Sequence, residues 1–231
     1  MTIIAENLSR VTKRIHEACR RCGRDPSTVT LIGVTKTVPV ETIREGVSAG
    51  ISTIGENYVQ EMAAKIEALS DLNISWHFIG HLQSNKARQI VTRCELIHSL
   101  DRESLARELE RQAQKIGRAI PVLIQVNVGD EGTKSGVSVE ELSALYRATA
   151  SMSGLQVRGL MTLPPYSDHA EEVRPYFKQL RHLLVELKDL SGKPELLTEL
   201  SMGMSHDFEV AIEEGATTIR VGTALFGARR P

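Results

Sequence analysis

An α/β barrel of eight strand–helix units is the fold this sequence predicts, and three observations predict it. Short runs rich in β-branched residues alternate with amphipathic stretches along the whole chain, the pattern of repeated βα units. The 231 residues suit eight such units, which need roughly 250. The rival, an open doubly wound sheet, carries a G-x-G-x-x-G or G-x-x-x-x-G-K-[ST] fingerprint, and this chain has neither. The expectation is one domain over residues 1–231, a (β/α)8 TIM-type barrel with an extra helix ahead of the first strand.

That extra helix is read over residues 2–22, where Ile4, Leu8, Val11, Ile15, Ala18 and Cys22 recur at steps of three and four. Gly23 and Pro26 end it, and its expected job is to cover the open bottom of the barrel. The first strand is VTLIGVTK, 29–36. Pro39 opens a helix through Ile43 and Val47, with Gly50 at its end. Strand two is 53–55, followed by GENY and a helix through Met62, Ile66 and Leu69. Strand three is 76–79, leading through GHLQSNK into a helix that runs through Ile90. Strand four is 95–100, with a helix from Asp101 to about Ile116.

Strand five, 121–128, reads PVLIQVNV, and its loop GDEGTKSGV is polar and glycine-rich. Ser138 and Glu141 then form a capping box for the next helix. Strand six is 157–161, and TLPPYSD leads into a helix over 169–190, with Pro175 marking a start close to itself. Strand seven is 199–202, with a short helix over 206–214, and strand eight is 217–221.

Composition excludes several classes. The formal net charge is −1, so no basic field argues for nucleic acid. No segment is long and apolar enough to span a membrane, and the first residues do not read as a secretory signal. Cys19, Cys22 and Cys94 are an odd number that fits a reducing cytoplasm. The C-x-x-C pair lies in a helical pattern with no second pair, which reads as small residues on a helix face. His77 and His81 flank the end of strand three without a carboxylate or cysteine at ligand spacing, so no metal is expected.

The chemistry centres on Lys36. Alternation puts Thr30, Ile32, Val34 and Lys36 on one side of strand one, and barrels place their chemistry at the carboxyl ends of strands. Desolvation there favours a neutral, nucleophilic amine able to form a Schiff base; a strand-end lysine reaching for water is the plain alternative. The loops after strands seven and eight, SMGMSHD (201–207) and RVGTALFG (220–227), are where barrels commonly bind phosphate. Both supply glycine, hydroxyls and backbone amides. Ser205 either caps the helix at His206 or faces an anion, and Gly222 and Thr223 begin a one-turn helix. A lysine beside a phosphate cradle suits a phosphorylated sugar, as in Schiff-base aldolases, or pyridoxal phosphate.

Seven stretches decide between them. GVTKTVP (33–39), GENYVQE (55–61), WHFIGHLQSNK (76–86), DEGTKSG (130–136), VRGLMTLPP (157–165), LSMGMSHDFEVAI (200–212) and RVGTALFGAR (220–229) resemble the pyridoxal phosphate homeostasis protein family. These are single-domain relatives of the barrel domain of alanine racemase. His81 stands where some members carry proline, a neutral variation.

The resemblance implies the fold type III arrangement of pyridoxal 5'-phosphate proteins, with Lys36 holding the cofactor as a Schiff base. It implies that Arg220 faces the pyridine nitrogen and that Gly222 and Thr223 bind the phosphate. Ser201, Met204 and Ser205 would lie in the loop that closes on the phosphate, and Asn57 near the ring. Arginine only donates, so a ring facing it stays unprotonated and is a poor electron sink.

Racemisation also needs a second acid–base group, which in the similar racemases comes from a tyrosine on another domain. Here only Tyr58 and Tyr166 lie near the right rim, and packing or surface roles suit both. The expectation is therefore a cytoplasmic monomer that is not an enzyme. It would buffer the cofactor and pass it to apo-enzymes, with no nucleic-acid or membrane partner. A racemase-like enzyme is the alternative. Ser84, Asn85 and Lys86 read as caps at a loop–helix junction, with contact to cofactor or partner as the alternative. Lys134 reads as solvated, with a basic loop that meets the cofactor during transfer as the alternative, and Asp207 reads as a helix-start residue favoured by the dipole.

Overall fold

The β-branched runs become eight parallel strands that close into a barrel in sequence order: β1 (Thr30–Val34), β2 (Thr53–Glu56), β3 (Ser75–Phe78), β4 (Leu96–Leu100), β5 (Ile120–Gln125), β6 (Leu155–Met161), β7 (Glu199–Ser201) and β8 (Thr218–Val221). The computed structural model describes residues 2–129 and 135–227. Closure is made by β1 against β8, where Ile32 stands opposite Arg220 on one side and Thr53 of β2 on the other. The α-helices are α1 (Ile3–Arg21), α2 (Val40–Ser48), α3 (Val59–Ala68), α4 (Glu103–Ile116), α5 (Val139–Ala150), α6 (Arg174–Leu190), α7 (Phe208–Glu213) and α8 (Thr223–Phe226). Their apolar faces meet the outside of the strands in a core that includes Ile43, Ile54, Phe78, Phe177 and Phe208. Among the described residues no helix is long and apolar enough to cross a membrane.

The leading helix is present, but its expected place under the barrel is corrected. α1 packs chiefly on α7, α8 and α2, the helices that flank the seam between β8 and β1. Its side chains grip that side: Asn7 Nδ2 donates to the Leu225 carbonyl at 2.9 Å, Arg14 pairs with Glu209 at 2.9 Å, and Arg21 pairs with Glu213 at 2.6 Å. The helix that follows β8 is only four residues long, so the apolar face of α1 fills the position in the outer ring that a full helix after β8 would take.

Other boundaries move for local reasons. β1 stops at Val34, before Thr35 and Lys36, because the chain turns there: the Val38 amide donates to the Thr35 carbonyl at 2.9 Å and Thr37 has φ 62°. After β3 the chain makes a 3-10 helix, Ser84–Gln89, in place of the expected α-helix. β5 ends at Gln125, and Val126 keeps a single bridge to Val137. The helix read from 169 begins as a 3-10 turn, Ala170–Val173, before α6 takes over with Pro175 in its first turn. Ser138 Oγ accepts from the Glu141 amide at 3.2 Å, as a capping box requires.

Candidate functional site

At the carboxyl end of the barrel a cavity of about 310 Å³ is lined by Val34, Lys36, Asn57, Ile79, Leu163, Met204, Ser205, His206, Arg220, Gly222 and Thr223. Lys36 reaches it from just past the end of β1, half-buried, while the adjacent Thr35 turns away and is fully buried. The alternation read from sequence thus holds two residues beyond the strand itself. Asn57 follows β2. Gly80, in the loop after β3, lies so close that a Cβ there would sit 2.1 Å from the Asn57 carbonyl oxygen, so only glycine lets the two loops meet. Asn57 Oδ1 is buried and has no hydrogen-bond partner among the described residues.

Backbone amides converge on the opposite wall. Gly222 N and Ala224 N, where α8 begins, both donate to Ser205 Oγ at 3.3 Å. Ser205 therefore does not cap the helix after β7. That helix starts at Phe208, with Asp207 as its N-cap residue and the Asp207 carboxylate accepting from the Met204 amide at 2.5 Å. Gly203, at φ +92°, makes the bend that brings this loop round, and its carbonyl accepts from the Arg220 amide at 3.0 Å.

Ser201 is not on the cavity wall. It lies one layer deeper, fully buried, and its Oγ accepts from Arg220 Nη1 at 2.6 Å. Arg220 Nη2 donates to the Thr162 carbonyl at 2.8 Å. Behind these is a network that the sequence reading missed. His98 Nδ1 is 2.9 Å from Ser201 Oγ, and His98 Nε2 is 2.9 Å from His77 Nδ1. β4 and β7 are not neighbours, so this chain of bonds runs through the lumen.

Chemistry fixes the direction of its first bond. A guanidinium only donates, so Ser201 Oγ accepts from Arg220, while the direction of the two bonds beyond it is set by the tautomers of His98 and His77. Burial lowers the His77 pKa to about 4 and takes that of His98 well below its usual value, with His77 and Arg220 adding to the latter effect. Both rings are neutral at ordinary pH. Burial also draws Arg220 down to about 10 against the pull of Asp207, which leaves it charged.

Tyr166 stands at the rim with its ring 5.0 Å from that of His206 and its hydroxyl on Asp168, and Tyr58 is exposed. His206 Nε2 lies 3.4 Å from an Asp207 oxygen. His81 sits 3.4 Å from Asp101, and Ser84, Asn85 and Lys86 open the 3-10 helix. Lys134 lies outside the described residues. Among the described residues no group of three or more His, Cys, Asp and Glu side chains could hold a metal ion.

Comparison with known proteins gives this cavity a setting. A family model described as alanine racemase, N-terminal domain, matches residues 7–230. The pyridoxal phosphate homeostasis protein of Aquifex aeolicus is 52% identical, over 97% of this chain and 98% of its own, and that of Pseudomonas aeruginosa is 45% identical over 99% and 97%. A solved structure of PipY from Synechococcus elongatus with pyridoxal phosphate bound superposes with TM-score 0.85 at 40% identity, covering 97% of this chain and all of that one. Alanine racemase from Corynebacterium glutamicum, at 17% identity and TM-score 0.74, covers 98% of this chain and 61% of its own, and shares the fold. The chain belongs to the pyridoxal phosphate homeostasis proteins, within the alanine racemase N-terminal domain family.

Proposed function

We propose that this protein binds pyridoxal 5'-phosphate, holds it as a Schiff base on Lys36, and serves cofactor homeostasis in the cytoplasm as a monomer without substantial turnover. The cavity residues fit the group. An aldehyde needs an amine, and Lys36 is on the wall; a phosphate needs convergent amides, and Gly222 and Ala224 supply them beside Ser205. Asn57 offers a buried acceptor that has no partner among the described residues. When bound, the cofactor supplies an electrophilic aldehyde and an electron-accepting ring.

The observation that carries the non-catalytic part is the state of the rim tyrosines: Tyr58 is exposed and the Tyr166 hydroxyl is tied to Asp168, which suits neither to be the second acid–base group that racemisation needs. Arg220 adds to it, being buried, charged and tied to Ser201 and the Thr162 carbonyl. A group that only donates leaves a ring nitrogen unprotonated, which weakens carbanion chemistry. Homologues named for homeostasis agree with a carrier that loads and releases, and apo-enzymes are the natural acceptors.

The test is a visible spectrum of the purified protein, then borohydride reduction and peptide mass mapping. A yellow protein that bleaches on reduction with added mass on Lys36 is expected. A protein that stays colourless with added pyridoxal phosphate, or a Lys36→Ala variant that still bonds it covalently, overturns the assignment.

A second reading, a racemase-like enzyme, draws support from His206. It shares the cavity with Lys36 and has the buried Asp207 carboxylate behind it. Long incubation with single amino-acid enantiomers separates the two: loss of optical purity that disappears in Lys36→Ala selects the enzyme.

A further inference from the structure

Outside the cavity, on the far side of the loop that carries Lys36, lies a second buried polar cluster. Lys65 projects from α3 on the same face as Met62 and Leu69 and is only 7% exposed. Burying an ammonium is costly unless its protons find acceptors. Here they find three: the Thr35 carbonyl at 2.6 Å, Glu56 Oε1 at 2.7 Å and Glu61 Oε2 at 3.0 Å. Glu56, at the end of β2, is fully buried and also accepts from Thr35 Oγ1 at 2.5 Å. Glu61 Oε2 accepts from the Thr37 amide at 3.0 Å.

The grip therefore falls on both residues that flank Lys36. Thr37 is the one described non-glycine residue with positive φ, at 62°. That conformation is an outlier for a β-branched residue, and such strain persists only where the surroundings over-determine it. A cluster serving merely to fasten α3 to β2 would have no reason to hold the amide of Thr37. Lys65 is not itself a wall residue of the cavity, and its three protons are committed.

We propose that Lys65, Glu56 and Glu61 form a clamp that positions Lys36, holding its loop in the strained turn that aims the amine at the cavity. Lys65 and Glu61 are positioning residues that act through the backbone of Thr35 and Thr37. The inference rests on the reading of Lys36 as the cofactor anchor. Releasing the clamp lets Thr37 relax to negative φ, so the loading-competent loop becomes a minor population and loading slows in proportion.

The experiment mixes full-length apo-protein with pyridoxal phosphate, follows the absorbance change, and quantifies borohydride-trapped mass on Lys36. Glu61→Ala and Lys65→Met are each made with and without Thr37→Gly, and the melting temperature of every apo form is recorded. Glu61→Ala and Lys65→Met are expected to load on the order of tenfold more slowly. Thr37→Gly, which tolerates the left-handed turn without strain, restores most of the rate in each background. Variants that load as fast as wild type overturn the clamp. So does slowed loading that Thr37→Gly fails to rescue, since a purely structural defect would behave that way. If Lys65→Met does not fold, the Glu61→Ala pair decides. A wild-type protein that takes up no cofactor, or traps it on another lysine, overturns the functional reading instead.

Discussion

Two buried polar networks support the two sides of the cavity, and they solve the problem of burial in opposite ways. Behind Arg220, the lumen network is a line of neutral groups, Ser201, His98 and His77, hydrogen-bonded end to end from one cation that only donates. Beside Lys36, the outer clamp balances charge against charge, with one ammonium facing two carboxylates and a carbonyl. The first holds a buried guanidinium in place; the second fixes a backbone conformation. A barrel can thus hold a fixed charge at one end of a site while storing strain at the other.

Losing the charge balance should cost most. Lys65→Met leaves the Glu56 carboxylate fully buried without its cation, and breaking such a pair costs about 3–5 kcal/mol. Urea denaturation of the apo-protein should show that loss, reduced to the extent that Glu56 takes up a proton. A loss below about 1 kcal/mol would mean that water reaches the pair.

Breaking the neutral line should cost less. His98→Leu keeps the volume but strands the Ser201 hydroxyl and His77 Nδ1, at about 2 kcal/mol. The same urea titration reads it.

Acid should separate the networks by sign. The folded-state pKa of His77 lies near 4, below its ordinary 6.5, and His98 is displaced the same way. Between those values the unfolded chain binds protons that the folded one refuses, so stability is full above pH 6.5 and falls as pH drops toward 4. Glu56 runs the other way. Burial raises its carboxyl pKa above 4.5 against the pull of Lys65 and Thr35, so its folded form gains a proton first and its contribution improves as pH falls. Unfolding free energies between pH 7 and 5 should therefore fall on acidification in wild type and Glu56→Gln, at up to about 1.4 kcal/mol per pH unit for each histidine. His98→Leu should flatten that slope.

The smallest effect belongs to Thr37→Gly alone. Relief of the left-handed strain and the greater freedom of unfolded glycine nearly offset each other, so a shift within about 1 kcal/mol is expected. Melting temperature measures it.

Much of this molecule was legible from the residues. Strands show as β-branched runs because both faces of a barrel strand are buried, and all eight were found at the right places. The lining residues Lys36, Gly222 and Thr223 were legible because lysine, glycine and threonine fell where strands end. What escaped depended on closure. Nothing in LIHSL says that His98 meets Ser201, since that contact exists only once β4 and β7 face each other across a lumen.

A signal was nonetheless present, because period-two reading places His98 on one face with Leu96 and Leu100. Lys65 left a similar trace: three residues from Met62 and four from Leu69, it is a charge on the apolar face of its helix. The turn at Thr37 left none, as threonine has no preference for positive φ.

The placement of α1 has a consequence for how the molecule is made. It leaves the ribosome before every strand of the barrel, yet the surfaces that receive it, α7 and α8 with Leu225 and Glu209, come close to two hundred residues later. Until then its apolar stripe has no permanent seat, and the loop that its docking closes is among the longest the chain has to form, an entropic cost that grows only slowly with length. A circular permutant starting at β1, with α1 tethered behind α8, would make those contacts local and should fold faster to the same barrel.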